Sequence, residues 1–193
     1  MTDATPSIKH TANRAADHAA MQELVLAIRR DLLFGARPPE GLMQGVVRKN
    51  IAQFEQKIRQ FGQFLPRAIM EEDERYKQVI PYFVFTHNSS LFLMQRSSKA
   101  SEQRLASKYT LGIGGHVRKD DVDASNIAEW GQREFKEEVS YNGAISLVPL
   151  GILNDESTPV GRVHVGIVYL LHGDSPDIAI KSELASGALC SRE

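Results

Sequence analysis

Runs of apolar and polar positions divide the chain into helix-like and strand-like segments. Residues 46–62 carry apolar side chains at helical spacing, which predicts an amphipathic helix that Pro66 ends. The apolar positions are Val47, Ile51, Phe54, Ile58 and Phe61. Residues 23–34 are also apolar, but their length permits either a helix or a buried strand, and periodicity does not decide between them. Residues 1–20 show no pattern, and we expect a flexible leader there.

The second half of the chain is dominated by strand-like segments around one helix. Residues 79–86 and 91–96 are two strand-like runs, and the polar residues between them indicate a hairpin. Residues 145–153 and 163–171 are further strand candidates, and residues 127–139 are predicted to form a helix. Strands on both sides of a central helix indicate an α+β or α/β sandwich.

Composition narrows the class of protein. The chain has 193 residues, of which 42% are hydrophobic and 24% charged, so it is long and apolar enough for one domain with a core. A net charge of -1 argues against a protein that coats nucleic acid or an anionic membrane. The single cysteine, Cys190, excludes an internal disulfide and a Cys-rich zinc site. No apolar run approaches the roughly 20 residues of a membrane helix and no signal-peptide blocks begin the chain, so we expect a cytoplasmic protein.

The candidate chemistry is concentrated in residues 133–138, which read Arg-Glu-Phe-Lys-Glu-Glu. On a helix, Glu134, Glu137 and Glu138 share one face, where three carboxylates repel one another. A hard divalent cation such as Mg²⁺ or Mn²⁺ would neutralise them, and Arg133 is placed to orient Glu137. A solvated, salt-bridged helix face is the alternative interpretation of the hexapeptide alone.

A glycine-rich segment upstream of this helix strengthens the metal interpretation. The order Gly-Gly, loop, then Arg-Glu-x-x-Glu-Glu resembles the signature of the Nudix hydrolases. Gly115 matches the opening glycine of the signature. The positions that match its helical part in register are Arg133, Glu134, Phe135, Glu137 and Glu138. The loop is four residues longer than in the signature, and Ser125 and Ser140 stand where the signature has a Glu and a Gly.

The resemblance also covers segments outside the signature, over roughly residues 70–175. Together they are similar to a bacterial and archaeal Nudix subgroup of predicted phosphoesterases, in which residues 23–34 tend to look like a strand. The resemblance implies an α+β fold, a Nudix-type α/β/α sandwich with a mixed sheet. Residues 21–75 would form an N-terminal extension packed on the core, and residues 76–193 the catalytic domain. Only residues 182–193 could supply a C-terminal helix, and a homodimer is possible by analogy with relatives.

The activity implied is hydrolysis of a diphosphate linkage in a small, nucleoside-diphosphate-type substrate. Mg²⁺ or Mn²⁺ would be held by Glu134, Glu137 and Glu138, with the Gly115 carbonyl as a further ligand, and Arg133 would orient the carboxylates. One of these carboxylates, or an acid from the loop with Asp155 and Glu156, would take a proton from the attacking water. Asp155 and Glu156 also fit ordinary polar turn residues.

Further candidates for substrate contact are Arg96, Arg104, His116 and Asp155. His116 and His164 also fit structural residues, and Arg96 and Arg104 fit surface arginines. The acidic run at residues 71–74 is interpreted as solvated surface.

Two other functions remain open. An isomerase of the isopentenyl diphosphate type shares the fold, but Cys190 lies far beyond the region of its catalytic cysteine. A non-catalytic Nudix domain would bind a nucleotide or a protein partner, with residues 1–75 as the interaction element.

Overall fold

The structure is a computed structural model of the chain. It describes residues 23–37, 40–42, 47–96, 108–121, 127–181 and 184–191. The expected leader at residues 1–20, the candidate Arg104 and the signature position Ser125 lie outside the described residues.

The described elements are mostly strands. The strands are β1 Leu24–Arg29, β2 Gly41–Leu42, β3 Gln63–Pro66, β4 Tyr76–His87, β5 Ser90–Arg96, β6 Tyr109–Thr110, β7 Ile113–Gly114, β8 Val139–Tyr141, β9 Ile145–Asn154, β10 His164–Gly173, β11 Ile178–Ile180 and β12 Leu184–Ser191. The helices are α1 Arg30–Phe34, α2 Val47–Phe61, α3 Arg67–Met70, α4 Ile127–Glu138 and α5 Pro159–Val163, with a 3-10 turn at Lys119–Asp121.

A ten-stranded mixed sheet organises the fold. Its main path runs β12-β5-β4-β10-β9-β2, and β1 pairs with both β3 and β4. Strands β4 and β10 are parallel and in register from Gln78 opposite His164 to Thr86 opposite His172, whereas the other pairs are antiparallel. The predicted strands and the mixed sheet of the α+β expectation are therefore confirmed.

The apolar segment at residues 23–34 is mainly a strand. Val25, Leu26, Ala27 and Ile28 are all buried, and both edges of β1 are paired. A strand covered on both faces reads as a continuous apolar run, which explains why periodicity alone was ambiguous. The strand interpretation that the family resemblance favoured is confirmed for Leu24–Arg29, and a short helix follows it.

The predicted amphipathic helix is present at Val47–Phe61, but Pro66 does not end it. Ile51 and Ile58 are buried, as predicted, whereas Phe61 at the last position is 37% exposed. The Gly62 N–H donates to the Ile58 carbonyl, and the chain then turns directly into β3. Pro66 therefore ends a strand and not this helix.

The predicted hairpin joins β4 to β5. Thr86 pairs with Leu91 and His87 with Ser90, which leaves a two-residue turn. Asn88 adopts a φ of 53°, a left-handed conformation that asparagine tolerates better than most residues. The Thr86 hydroxyl donates to the Ser90 carbonyl and closes the turn.

Helices cover both faces of the sheet. On one face, Phe135 of α4 contacts Phe83 of β4. On the other, Met70 of α3 packs with Ala27, which pairs with Gln78 of β4. Phe83 and Gln78 are five residues apart in one strand, so their side chains point to opposite faces. The layers therefore match the expected α/β/α sandwich.

The last described segment is a strand. Leu184–Ser191 pairs antiparallel with β5, with Leu189 opposite Phe92. We expected residues 182–193 to supply a C-terminal helix if they formed any element. Their described part, Leu184–Ser191, forms a strand of the sheet instead. Within the described ranges, no helix is long and apolar enough to cross a membrane.

Candidate active site

Helix α4 docks on the sheet through one buried face. Its inner face is buried at Ile127, Ala128, Gly131 and Phe135. A Cβ on Gly131 would lie 2.4 Å from Pro81 Cγ, so the helix approaches β4 closely at this point. This docking fixes the rotation of α4. Glu134 and Glu138 each follow a buried residue of this face by three positions, so they lie at its border, whereas Glu137 is exposed.

Arg133 lies between two of the three carboxylates. Its Nη1 donates to both oxygens of Glu137 at 3.0 and 2.9 Å, and its Nη2 is 2.9 Å from Glu134 Oε1. The Glu134 side chain is 17% exposed and that of Glu137 56%, while Glu138 is half-buried. The guanidinium therefore offsets part of the carboxylate repulsion on this face.

Gly115 is in direct contact with Glu134. A Cβ at position 115 would lie 2.3 Å from Glu134 Cγ and 2.4 Å from its Cδ. Only glycine allows the loop backbone to come this close to the carboxylate. The structure thus brings together the first glycine and the first helical glutamate matched to the signature.

A chain of ion pairs leads from α4 to the other side of the sheet. Arg118 Nη2 is 4.0 Å from Glu134 Oε1, and Arg118 Nε is 3.3 Å from Glu23 Oε1. Arg67 Nη1 is 3.7 Å from Glu23 Oε2, and Arg67 Nε is 3.4 Å from Glu71 Oε1. Opposite charges therefore alternate along the whole path.

This path ends at a second cluster, formed by Glu71, His116 and His164. The two Nε2 atoms are 3.2 Å apart, and each is 4.0 Å from Glu71 Oε1. All three side chains are at least three-quarters buried, with exposures of 24%, 14% and 16%. The interpretation of residues 71–74 as solvated surface is therefore wrong for Glu71.

Burial holds both imidazoles in the neutral form. It lowers the pKa of His116 to about 2, assisted by the positive charges of Arg67 and Arg118. Burial also lowers the pKa of His164, although a hydrogen bond from its Nδ1 to the Val160 carbonyl and the Glu71 charge oppose this. Neutral imidazoles are available as ligands or hydrogen-bond partners.

Among the described residues, the second cluster is the one that brings three side-chain ligand atoms close together. In the part of the chain that the structure describes, Glu71, His116 and His164 form the one group of three such residues with ligand atoms within 4.8 Å of one another. Glu134, Glu137 and Glu138 share a helix face without forming such a group.

Asp155 and Glu156, in the loop after β9, have different surroundings. Glu156 is 2.7 Å from the Nζ of Lys77, whose side chain is fully buried, and 3.0 Å from Arg30 Nη2. Burial alone would raise the pKa of Glu156, but hydrogen bonds from Lys77 and Asn154 bring it below its usual value. Asp155 is exposed and accepts hydrogen bonds from the backbone and hydroxyl of Ser157, as in a turn.

Arg96 occupies the end of β5. Its side chain is half-buried, and its backbone N–H donates to the Lys108 carbonyl.

Glu71 and Lys77 were not among the site candidates from the sequence. The signal for Lys77 was available, because consecutive polar residues at 77 and 78 interrupt an otherwise apolar strand.

Comparisons with known proteins agree with this fold. No family model matches the chain. It is 32% identical over 176 residues to protein YmaB of Bacillus subtilis strain 168, covering 86% of this chain and 84% of that protein. The crystal structure of Tm1382, provisionally assigned as a Nudix hydrolase, superposes with a TM-score of 0.65 and 29% identity over 88% of this chain and 86% of that chain.

The mixed sheet with an Arg-Glu-x-x-Glu-Glu helix beside a glycine-rich loop defines a Nudix-type protein. This chain belongs to the Nudix hydrolase superfamily.

Proposed function

We propose that this protein hydrolyses a diphosphate linkage in a small nucleoside-diphosphate-type substrate, with Mg²⁺ or Mn²⁺ at α4. The observation that carries the proposal is the contact between the Gly115 backbone and Glu134, beside Glu137 and Glu138. This contact places a loop backbone and an acidic helix face at one location, as a metal-dependent phosphate site requires.

The residues present fit a hard divalent cation. Glu134, Glu137 and Glu138 offer only oxygen donors, which Mg²⁺ and Mn²⁺ prefer, and the absence of a Cβ at Gly115 leaves its carbonyl accessible. A bound cation would neutralise phosphate charge and activate the attacking water.

The protein's own side chains would orient the carboxylates of the site and take a proton from the attacking water. Arg133 holds Glu134 and Glu137 in fixed positions through its two ends, so neither carboxylate has to be ordered when substrate binds. Glu156 is engaged with Lys77 and Arg30, which makes it a poor proton acceptor. We therefore assign the general base to a carboxylate of α4, with Asp155 as the remaining loop candidate.

The test is metal-dependent turnover by the Glu138→Gln variant. With Mg²⁺ and with Mn²⁺, we would assay ADP-ribose, dinucleoside polyphosphates, NADH, nucleotide sugars and nucleoside triphosphates. We expect one class to be hydrolysed by the wild type, and Glu138→Gln to lower kcat by on the order of 10²-fold or more, because a metal ligand or base is lost.

The matched control is Glu129→Gln, which makes the same change at an exposed position in the first turn of α4. It should keep wild-type turnover. Undiminished turnover by Glu138→Gln would contradict the assignment of the site.

A non-catalytic nucleotide-binding domain is the second candidate. The longer loop and the departures at Ser125 and Ser140 favour it, because both alter the signature. Tight nucleotide binding by calorimetry, with no hydrolysis of any substrate in the panel, would identify this function instead.

A further inference from the structure

We propose that Glu71, His116 and His164 bind one transition-metal ion of the zinc class, at a site separate from the cation proposed at α4. The proposal does not depend on diphosphate hydrolysis. It rests on the geometry of the two imidazoles, the hydrogen bond that orients one of them, and an unpartnered buried amide beside them.

The spacing of the two imidazole nitrogens suits two ligands of one ion. Zinc–nitrogen bonds of 2.0–2.1 Å in tetrahedral geometry separate two ligand nitrogens by about 3.3 Å. The His116 and His164 Nε2 atoms are 3.2 Å apart, and their ring planes are inclined by 62°. The two rings therefore need little movement to share an ion.

The orientation of His164 leaves the required lone pair free. Its Nδ1 lies 2.8 Å from the Val160 carbonyl, and an N–H must donate there because the carbonyl only accepts. In the neutral ring, Nε2 then carries a lone pair directed at the cluster. A backbone carbonyl in this role is a common support for metal-binding histidines.

Helix α5 holds that carbonyl in place. The Thr158 hydroxyl accepts from the Gly161 N–H at the start of the helix, and buried Lys77 donates to the Gly161 carbonyl. The orientation of His164 is therefore built into the fold.

Glu71 supplies the third ligand. Its Oε1 is 4.0 Å from both Nε2 atoms, so a modest movement of the carboxylate would complete the set. Arg67 does not prevent this, because its 3.4 Å distance to Glu71 is longer than the roughly 2.8 Å of a strong charge-assisted bond. Two nitrogens and one oxygen favour a zinc-class ion over Mg²⁺, in contrast to the all-oxygen set on α4.

Gln78 provides an independent indication that something polar binds here. Its side chain is fully buried, and neither amide atom has a hydrogen-bond partner among the described residues. An unsatisfied buried amide costs free energy, so it calls for an explanation. Gln78 is the register partner of His164 in parallel strands, so the two side chains stand next to each other on one face. A water in the fourth coordination position would satisfy the amide.

The site lies on the opposite face of the sheet from α4. Phe135 of α4 packs on Phe83, which is five positions from Gln78 in β4 and so points the other way. The Glu138→Gln substitution on α4 should therefore leave this site intact, and the two proposals can fail separately.

The experiment measures metal content and metal geometry in the full chain without a histidine tag. After removal of metals with a chelator, the protein is dialysed against Zn²⁺ or Co²⁺ and analysed by mass spectrometry of the elements and by visible absorption. We expect one equivalent of tightly bound zinc, and a cobalt spectrum with the strong visible bands of four-coordinate Co²⁺.

Three variants locate the ion. His116→Ala and His164→Ala should each lower zinc affinity by at least about tenfold, since even supporting contacts are worth that much. Glu71→Gln, which keeps the shape of the side chain, should do the same. The matched control His172→Ala changes an exposed histidine of β10 and should retain the zinc, as should Glu138→Gln on α4.

Zinc bound equally well by folded His116→Ala and His164→Ala would overturn the proposal, as would the absence of tight zinc binding by the wild type. Absence of tight zinc binding by the wild type would mean that the two imidazoles are joined only by a hydrogen bond. Circular dichroism of each variant separates loss of metal from loss of fold. For Gln78, the Gln78→Leu variant should keep the zinc and shift the cobalt bands; unchanged bands would overturn its contact with the bound water.

Discussion

At the scale of single residues, the candidate site depends on the contact between Gly115 and Glu134, which leaves no room for a side chain at position 115. Gly115 matched the signature only by its position in the sequence, and the structure gives the physical reason for a glycine there. The space that a Cβ would occupy is filled by the Glu134 side chain. Glu134 is held in turn by Arg133, so it cannot move away without breaking an ion pair.

Gly115→Ala should therefore damage the site more than the fold. The added methyl forces the loop or Glu134 to shift, which we expect to cost about 1–3 kcal/mol of unfolding free energy and to lower Mg²⁺-dependent kcat/KM by roughly tenfold or more. Denaturant unfolding and the substrate panel measure the two effects.

Gly166→Ala is the control for the glycine substitution. The nearest atom to its added Cβ would be 3.3 Å away, at Leu153 Cβ, which is a much milder contact. If Gly115→Ala retained full activity, the close approach of loop and carboxylate would have no catalytic role.

At the scale of elements, the short helix α5 matters through its orientation of one side chain. Thr158 caps its first turn by accepting from the Gly161 N–H at 3.0 Å, and His164 follows at its end. The cap thus supports the Val160 carbonyl that receives the His164 Nδ1 hydrogen.

Thr158→Ala removes the cap and should lower the unfolding free energy by about 1 kcal/mol. If α5 positions His164, the same variant should also bind Zn²⁺ more weakly in calorimetric titration. Thr158→Ser keeps the hydroxyl and should behave as the wild type on both measures; equal losses in the serine and alanine variants would show that the hydroxyl does not act as the cap.

At the scale of the whole molecule, a buried ion pair joins distant parts of the chain. Glu156 contacts Lys77 of β4, Arg30 of α1 and Asn154 at the end of β9. Since the Lys77 side chain is fully buried, its charge depends on Glu156 for compensation.

Glu156→Gln should lower the unfolding free energy at pH 7 by about 3 kcal/mol, because it leaves the Lys77 charge uncompensated. The pKa of Glu156 is lowered in the folded protein, so the folded state binds fewer protons than the unfolded chain. The contribution of the Glu156 charge to the unfolding free energy is therefore complete at pH values above 4.5, the ordinary pKa of a glutamate. It is lost as the pH falls below 4.5.

The difference in unfolding free energy between the wild type and Glu156→Gln, measured by urea titration, should therefore become smaller below pH 4.5. Glu72→Gln, at an exposed position, should follow the wild type throughout. A difference that stays constant with pH would show that the carboxylate charge is not the stabilising feature.

The amino-acid sequence alone determined the elements whose signals are local. Helical spacing placed α2 and α4, turn residues placed the hairpin between β4 and β5, and the hexapeptide at residues 133–138 placed the acidic helix face. Each signal lies within a few residues, because helix and hairpin geometry repeats over that distance.

Only the tertiary structure decided the features that depend on remote partners. The choice of strand at Leu24–Arg29 follows from pairing with β3 and β4, and the strand at Leu184–Ser191 from pairing with β5. His116 and His164 are 48 residues apart, and no local pattern relates them to each other or to Glu71. Sheet register and helix docking bring them together, since contacts distant in the sequence are set by the packing of the whole chain.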